Sequence, residues 1–233
     1  RYILEALNLS RNNSKLYADS LYLYSQICLV LRNSYDPELS KAEKAIKECL
    51  SIYHDRFNKT NSDACKEDMS KAHNHWAYIL DEQGKHEDAV EKIFEAIKLD
   101  DSNSSCISLY RTLYNAGLFC LHSYLESNHQ SYLERGYCYA KDSLKNALKM
   151  VKFQSLEAES DLADIYMLLS KLSFEYNKRI LCQYYLFLSV LQFRKMQTNE
   201  LPIDIGCNFS FSKTWERLVL IVENAFFNCF TNI

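Results

Sequence analysis

Apolar residues recur three and four positions apart along most of the chain, which is the spacing of an amphipathic helix. No segment alternates apolar and polar residues as a half-buried strand does. Asp36 suits a helix N-cap, Pro37 a first helical position, and Gly84 the left-handed residue that follows a helix. The pattern therefore predicts an all-α protein with helices at about 16–31, 37–54, 64–83, 87–99, 104–126, 131–151, 155–175, 177–197 and 211–230. These helices follow one another in pairs joined by short polar turns, which indicates an array of αα-hairpins.

Composition supports this prediction and excludes several classes of protein. The 233 residues include only 4 glycines and 2 prolines, whereas an average chain has about 12% of the two together. A β-sandwich or barrel needs more turn residues than that, and the four glycines are too far apart for a glycine-rich phosphate loop. The 27 basic and 30 acidic residues leave a formal charge of −3, which disfavours nucleic acid as a partner.

The nine cysteines are odd in number and contain no CxxC pair, so neither a zinc ribbon nor a thioredoxin-like redox pair is predicted. Most of them lie inside apolar helical patterns, where a thiol packs as a small hydrophobe. Reduced thiols and the lack of a visible signal peptide lead us to expect a cytoplasmic or nuclear protein. No run reaches the roughly 18 apolar residues of a membrane span, so none is predicted.

The segment from Trp76 to Asp101 carries small residues at regular places: Ala77, Gly84, Ala89 and Ala96. With this spacing it resembles a tetratricopeptide repeat (TPR), a 34-residue helix-turn-helix module. The resemblance implies that Ala77 lies where the two helices of one repeat cross, and that Gly84 ends the first helix. It also implies that two small residues on the second helix let neighbouring helices approach closely. The matching small residues of the next unit are Ala140 and Ala147.

The resemblance extends over about 1–197 and is strong only over 70–103. It divides the chain into a half repeat at 1–12, units at about 14–57, 64–103, 104–151 and 155–197, a linker at 198–209 and a C-terminal helix at 210–233. Leu21 and Arg111 stand where the first helix usually has a small residue, and Asp101 replaces the usual proline. The repeat register after residue 151 is left open, and another helix-pair array or an irregular bundle is the alternative.

TPR arrays form right-handed superhelices whose first helices line a concave face, so the resemblance implies a right-handed α-solenoid. It further implies a non-catalytic scaffold that binds a peptide or helix of another protein in its groove. The alternatives are a helical regulatory arm of a larger multi-domain enzyme or assembly and, less favoured, an RNA-binding helical repeat. The candidate groove residues are Lys15, Asp19, Tyr22, Gln26, Lys71, Asn74, His75, Tyr78, Asp81, Ser108, Thr112 and Asn115.

Some TPR proteins grip a C-terminal carboxylate with lysine and asparagine from successive first helices. Lys71 and Asn74 offer one partial layer of such a clamp. The neighbouring units place Ala18 and Thr112 where further donors would be needed, so a carboxylate clamp is not expected.

The titratable residues predict no catalytic site, no cofactor and no metal. His73 and His75 are two positions apart on a predicted helix and point about 200° from each other, so they cannot chelate one ion. His86 occupies a helix-pair turn, where the resemblance implies a packing role. Four carboxylates near the start of a later helix are interpreted as a solvated first turn: Glu157, Glu159, Asp161 and Asp164.

The last predicted helix is apolar around nearly its whole circumference, whereas a solenoid normally ends with a helix that has a polar outer face. It is expected to cap earlier helices or to dock on more protein through Trp215, Leu218, Val222 and Phe226. Together with the half repeat at the start, this helix predicts that the sequence is part of a larger solenoid or has a stable partner.

Overall fold

The computed structural model describes residues 2–31, 37–101, 106–153 and 156–198. All regular structure within these ranges is helical. The helices are α1 (Tyr2–Ser10), α2 (Ser14–Val30), α3 (Pro37–Thr60), α4 (Asp63–Glu82), α5 (His86–Asp101), α6 (Cys106–Ser127), α7 (Gln130–Lys152), α8 (Leu156–Glu175) and α9 (Arg179–Thr198). The predicted all-α fold is confirmed.

The helices pack in consecutive pairs, α2 with α3, α4 with α5, α6 with α7 and α8 with α9. Each pair stacks on the next through α3 and α4, α5 and α6, and α7 and α8. The first helices also touch across pairs, α4 with α6 and α6 with α8. No comparable contact joins second helices to one another in the part of the chain that the structure describes. The array is an α-solenoid, and its first helices share one face.

Fully buried alanines occupy the helix-pair interfaces. Ala77, Ala89 and Ala96 have no exposed surface and lie in or beside the core cluster formed by α4, α5 and α6. Ala140 and Ala147 are equally buried in the next cluster along the array. A methyl group at these places lets helices approach closely. For Ala77, Ala89 and Ala96, this is the role that the TPR resemblance implies.

Helix ends explain why the chain needs so few glycines. Gly84 has a φ of +74°, and the N–H of Lys85 donates to the carbonyl of Leu80 at 2.9 Å, which closes a Schellman motif after α4. The other left-handed residues of the described ranges are asparagines: Asn61, Asn128 and Asn177. Asparagine tolerates this conformation better than other residues with a side chain, so it ends α3, α6 and α8 without glycine.

The end of α3 differs from the predicted one. The pattern places the end of the second helix near His54 and a polar loop at 58–63, but α3 continues to Thr60. Phe57 extends its apolar side and packs half-buried against the first core cluster. The turn is therefore reduced to residues 61 and 62. The other helix ends of the paired units lie within two residues of their predicted places.

In α6, the first helix of the third pair, Arg111 does not occupy the position that usually has a small residue. In the preceding pair, Ser70 lies seven residues before Ala77, and its hydroxyl donates to the carbonyl of Ala96 at 3.2 Å. The corresponding bond between α6 and α7 runs in the opposite direction, since the Ser143 hydroxyl of the second helix donates to the carbonyl of Tyr110 on the first helix at 2.6 Å.

Seven residues after Tyr110 lies Gly117, which faces Gly136 of α7. The register of α6 is thus shifted by six residues from the predicted one, and Gly117 takes the place assigned to Arg111. A third serine bond, from Ser189 of α9 to the carbonyl of Ala163 at 2.8 Å, repeats the pattern between α8 and α9.

The structure describes the side-chain surroundings of six cysteines, and all six are free thiols. Cys28, Cys49, Cys65 and Cys120 are buried. Burial raises the pKa of Cys49 and of Cys120 to about 12, so both thiols stay protonated. They pack as small hydrophobes, as the sequence pattern predicts.

Within the described helices, none is long and apolar enough to cross a membrane. Several predictions lie outside the described residues: the Asp36 cap, most of the linker at 198–209 and the C-terminal helix with Trp215, Leu218, Val222 and Phe226.

Candidate partner-binding surface

The first helices α2, α4, α6 and α8 form one face of the array, here called the first-helix face. Side chains on this face are bonded from helix to helix. The Nε2 of His75 on α4 lies 3.0 Å from the Ser25 hydroxyl on α2. The amide of Asn115 on α6 donates to the Asn74 side chain on α4 at 2.9 Å. The hydrogen bonds fix these side chains relative to one another.

The same face continues from α6 to α8 through Asp161. Its carboxylate accepts from the Tyr110 hydroxyl at 2.9 Å and from Arg111 at 2.7 Å, and Arg111 also lies 3.2 Å from Glu157. The prediction that Asp161 belongs to a merely solvated first turn is wrong, because α6 packs close enough to supply both donors. Glu159 is likewise paired, with Lys195 of α9.

The predicted groove residues of α2 follow this face with different degrees of exposure. Lys15 is exposed, whereas Asp19, Tyr22 and Gln26 are half-buried. Asp19 accepts a bond from the Tyr53 hydroxyl of α3 at 2.8 Å. The ring of Tyr22 lies 5.2 Å from that of His75, which brings two predicted groove residues from neighbouring first helices together.

On α4, Lys71 is exposed and paired with Glu67 at 2.7 Å. Tyr78 is half-buried, and its ring meets Phe119 of α6 edge-on with centroids 6.4 Å apart. The structure therefore brings together Tyr22, Asn74, His75, Tyr78 and Asn115 in one continuous row across three first helices.

Two predicted groove residues are not on the surface. Thr112 is only 2% exposed, and its hydroxyl donates to buried Asp100 at the end of α5 at 3.0 Å. Asp81 is 9% exposed, enclosed by His86 and His122. The shifted register of α6 accounts for Thr112, since this position turns toward α5. The side chain of Ser108 lies outside the described residues.

Four titratable side chains, one from each first helix, have pKa values shifted toward their neutral forms. Burial raises the pKa of Tyr22 to about 12 and lowers that of His75 to about 4. Burial also raises the pKa of Tyr114, and nearby Asp164 adds to the rise.

Asp164 is open to solvent, yet surrounding protein limits its hydration and, with the charge of Asp161, raises its pKa to about 6. Surrounding protein thus limits the hydration of these four side chains.

Three residues of the first helices that join this face are not among the predicted groove residues: fully buried Ser25, half-buried Tyr114 and exposed Asp164. Ser25 follows Tyr22 by three positions on one helix, so the helical period places both on one side. The sequence pattern places Asp164 in a solvated first turn, and nothing assigns it to the groove because the repeat register after residue 151 is left open.

No protein-family model matches the sequence, and neither does any curated protein. Solved structures do match the fold. Aspartyl phosphate phosphatase F from Bacillus subtilis aligns with a TM-score of 0.60 at 17% identity, over 79% of this chain and 42% of that one. BtubC (BKLC) from P. vanneervenii aligns with a TM-score of 0.52 at 13% identity, over 86% of this chain and 89% of that one.

The likeness is to helical-repeat proteins. At these identities it shows the fold alone. The chain spans about 42% of the length of the phosphatase structure, so it corresponds to less than half of that molecule.

Proposed function

We propose that the array is of the tetratricopeptide type and acts as a non-catalytic scaffold whose first-helix face binds a peptide or helix of another protein. The Schellman turn at Gly84 supports the tetratricopeptide assignment, as do the buried alanines Ala77, Ala89 and Ala96. Because the described cysteines are free thiols and four of them are buried, the scaffold is proposed to work in the cytoplasm or nucleus.

The observation that carries the proposal is the row of polar and aromatic side chains on the first-helix face. Tyr22, Asn74, His75, Tyr78 and Asn115 combine rings that stack on apolar side chains with groups that pair with a peptide backbone. Since their positions are fixed by contacts between helices, the scaffold loses little conformational entropy on binding.

The same row argues against a clamp for a C-terminal carboxylate. The Asn74 side chain already accepts from Asn115, and Thr112 is buried. Lys71 would be left as a lone charge, held by Glu67. A partner is therefore proposed to bind through its main chain and internal side chains rather than through its terminus.

A second candidate, a helical arm of a larger protein, is favoured by α9. Its residues Ile180, Tyr184, Phe187 and Leu191 are spaced as one helix face, and all four are exposed. An exposed apolar stripe of this kind is unusual for a surface that faces water alone. Folding this chain within a longer one and measuring solvent protection of α9 would distinguish the two candidates. Nucleic acid is the weaker alternative, disfavoured by the charge of −3.

The test is a quantitative affinity purification with matched variants. The face variant carries Lys71→Ala and Tyr78→Ala, and the control carries Lys98→Ala and Tyr139→Ala on second helices. Lys98 matches Lys71 because each is an exposed lysine paired with a glutamate on its own helix, and Tyr139 is half-buried like Tyr78. We expect at least one protein to be lost from the face variant and retained by the control. Equal recovery by two equally folded variants would contradict the proposal.

A further inference from the structure

Three side chains from three helices converge where the second helix pair meets the third. Asp81 lies in the last turn of α4, His86 begins α5, and His122 lies on α6. The Nδ1 of His86 is 2.8 Å from one Asp81 carboxylate oxygen, and the Nδ1 of His122 is 2.9 Å from both oxygens. The rings of the two histidines are 5.4 Å apart, edge to face.

These three groups are a donor set for a transition-metal ion. One carboxylate oxygen of Asp81 and one ring nitrogen from each of His86 and His122 lie within 4.8 Å of one another. Imidazole nitrogen and carboxylate oxygen bind Zn²⁺ at about 2.0–2.2 Å, which places tetrahedral ligand atoms about 3.4 Å apart. The nitrogen-to-oxygen distances of the hydrogen bonds are about half an ångström shorter than this distance between ligand atoms. Small side-chain rotations would therefore make room for an ion between the three groups.

The burial of the cluster is also suited to an ion. The Asp81 side chain is 8% exposed, while those of His86 and His122 are 23% and 34% exposed. A carboxylate enclosed in this way is poorly hydrated and favours a compensating positive charge beside it. Because both imidazoles are partly exposed, the cluster lies near the surface, where water is available as a further ligand.

We propose that Asp81, His86 and His122 bind one divalent ion of the zinc type, with water as the fourth ligand. Each histidine binds as a neutral imidazole through Nδ1 and keeps its ring proton on Nε2. Because the ligands come from α4, α5 and α6, the ion joins two helix pairs and stabilises the folded array relative to the unfolded chain. The site is independent of the proposed partner binding.

The test is a Zn²⁺ titration of the full chain by calorimetry, followed by thermal unfolding with Zn²⁺ and with a chelator. The site variant is His122→Ala. The control is His129→Ala, since His129 is exposed at the start of α7 and makes no side-chain cap bond. We expect wild type and His129→Ala to bind one equivalent and to melt at a higher temperature with Zn²⁺. His122→Ala should bind at least about tenfold more weakly and lose the shift.

Absence of binding by the wild type, or equal binding by His122→Ala, would overturn the proposal. Co²⁺ provides a second readout that does not depend on how well the variant folds. Coordination by nitrogen and oxygen gives visible d–d bands alone. Strong thiolate charge-transfer bands in the wild type would place the ion on cysteines and would equally overturn the assignment.

Discussion

Gly117 and Gly136 face each other where α6 crosses α7, and a Cβ on Gly136 would stand 3.1 Å from the carbonyl oxygen of Gly117. The same Cβ would lie 3.1 Å from the Cβ of Cys120. Both neighbours belong to, or are fixed to, the helix backbone and cannot rotate away. A Cβ at either position would therefore require the two helices to move apart by a few tenths of an ångström.

Gly136→Val is expected to destabilise the protein by roughly 1–3 kcal/mol, the usual cost of overpacking. Chemical denaturation measures this change. Cys138→Val is the matched control, since Cys138 is exposed two residues further along the same helix. The control should change stability by no more than about 0.5 kcal/mol. If both variants unfolded at the same denaturant concentration, the close crossing would be wrong.

Ala89→Leu and Ala96→Leu are each expected to cost roughly 1–3 kcal/mol, because both methyl groups are completely buried between packed helices. Ala64→Leu serves as the control, since Ala64 is exposed on α4. Thermal melting of the three variants checks the prediction. Unchanged melting temperatures for both buried substitutions would contradict the register assigned to α5.

The change in stability on substitution at the left-handed helix ends is expected to depend on the backbone conformation rather than on the space available for a side chain. An added Cβ at Gly84 would meet nothing within 4 Å, so only its φ of +74° is unfavourable. Gly84→Ala is expected to cost about 1–2 kcal/mol, and Gly84→Asn less. Asn177→Gly, at a φ of 54°, should be nearly neutral. Denaturation midpoints that rank Gly84→Asn below Gly84→Ala would argue against this explanation.

His75 should make the protein less stable in acid. Burial lowers its pKa to about 4 in the folded state, against about 6.5 in an unfolded chain. Its neutral form therefore stabilises the fold fully above pH 6.5, and this stabilisation is lost as the pH falls from 6.5 toward 4.

Between pH 7 and pH 5, the loss from His75 is expected to be about 1–2 kcal/mol. His75→Gln keeps a group able to bond Ser25 but removes the titration. The variant should lose less stability than the wild type over this range, and NMR should show the His75 ring still neutral at pH 5.5. An equal pH dependence of the two proteins would count against a buried, neutral imidazole.

The helices could be predicted because local signals and packing agree along most of the chain. Gly84 both interrupts the apolar pattern and adopts the left-handed turn, and Ala89 and Ala96 mark close packing by size alone. The extension of α3 was missed because residues 58–63 are polar, while the stabilising contact comes from Phe57 in the core.

The features that sequence could not supply are those that join distant helices. Asp81, His86 and His122 meet only because α6 stacks on α4 and α5, and no helical spacing relates His122 to the other two. Asp100 lies just beyond the predicted helix at about 87–99, yet it is a buried residue of α5 and accepts from Ser70 at 2.6 Å. Arg111 and Thr112 were misplaced because a fixed step of 34 residues ignored the six-residue shift of α6.

Site-specific photocrosslinking in cell extract tests the central proposal most directly. A photoreactive phenylalanine analogue replaces Tyr22 or Tyr78 on first helices, and Tyr132 or Tyr139 on α7 in the controls; all four residues are half-buried tyrosines. If the first-helix face binds a partner, one protein is captured from both first-helix positions and from neither control. Capture of partner proteins only from the α7 positions would contradict binding on the first-helix face.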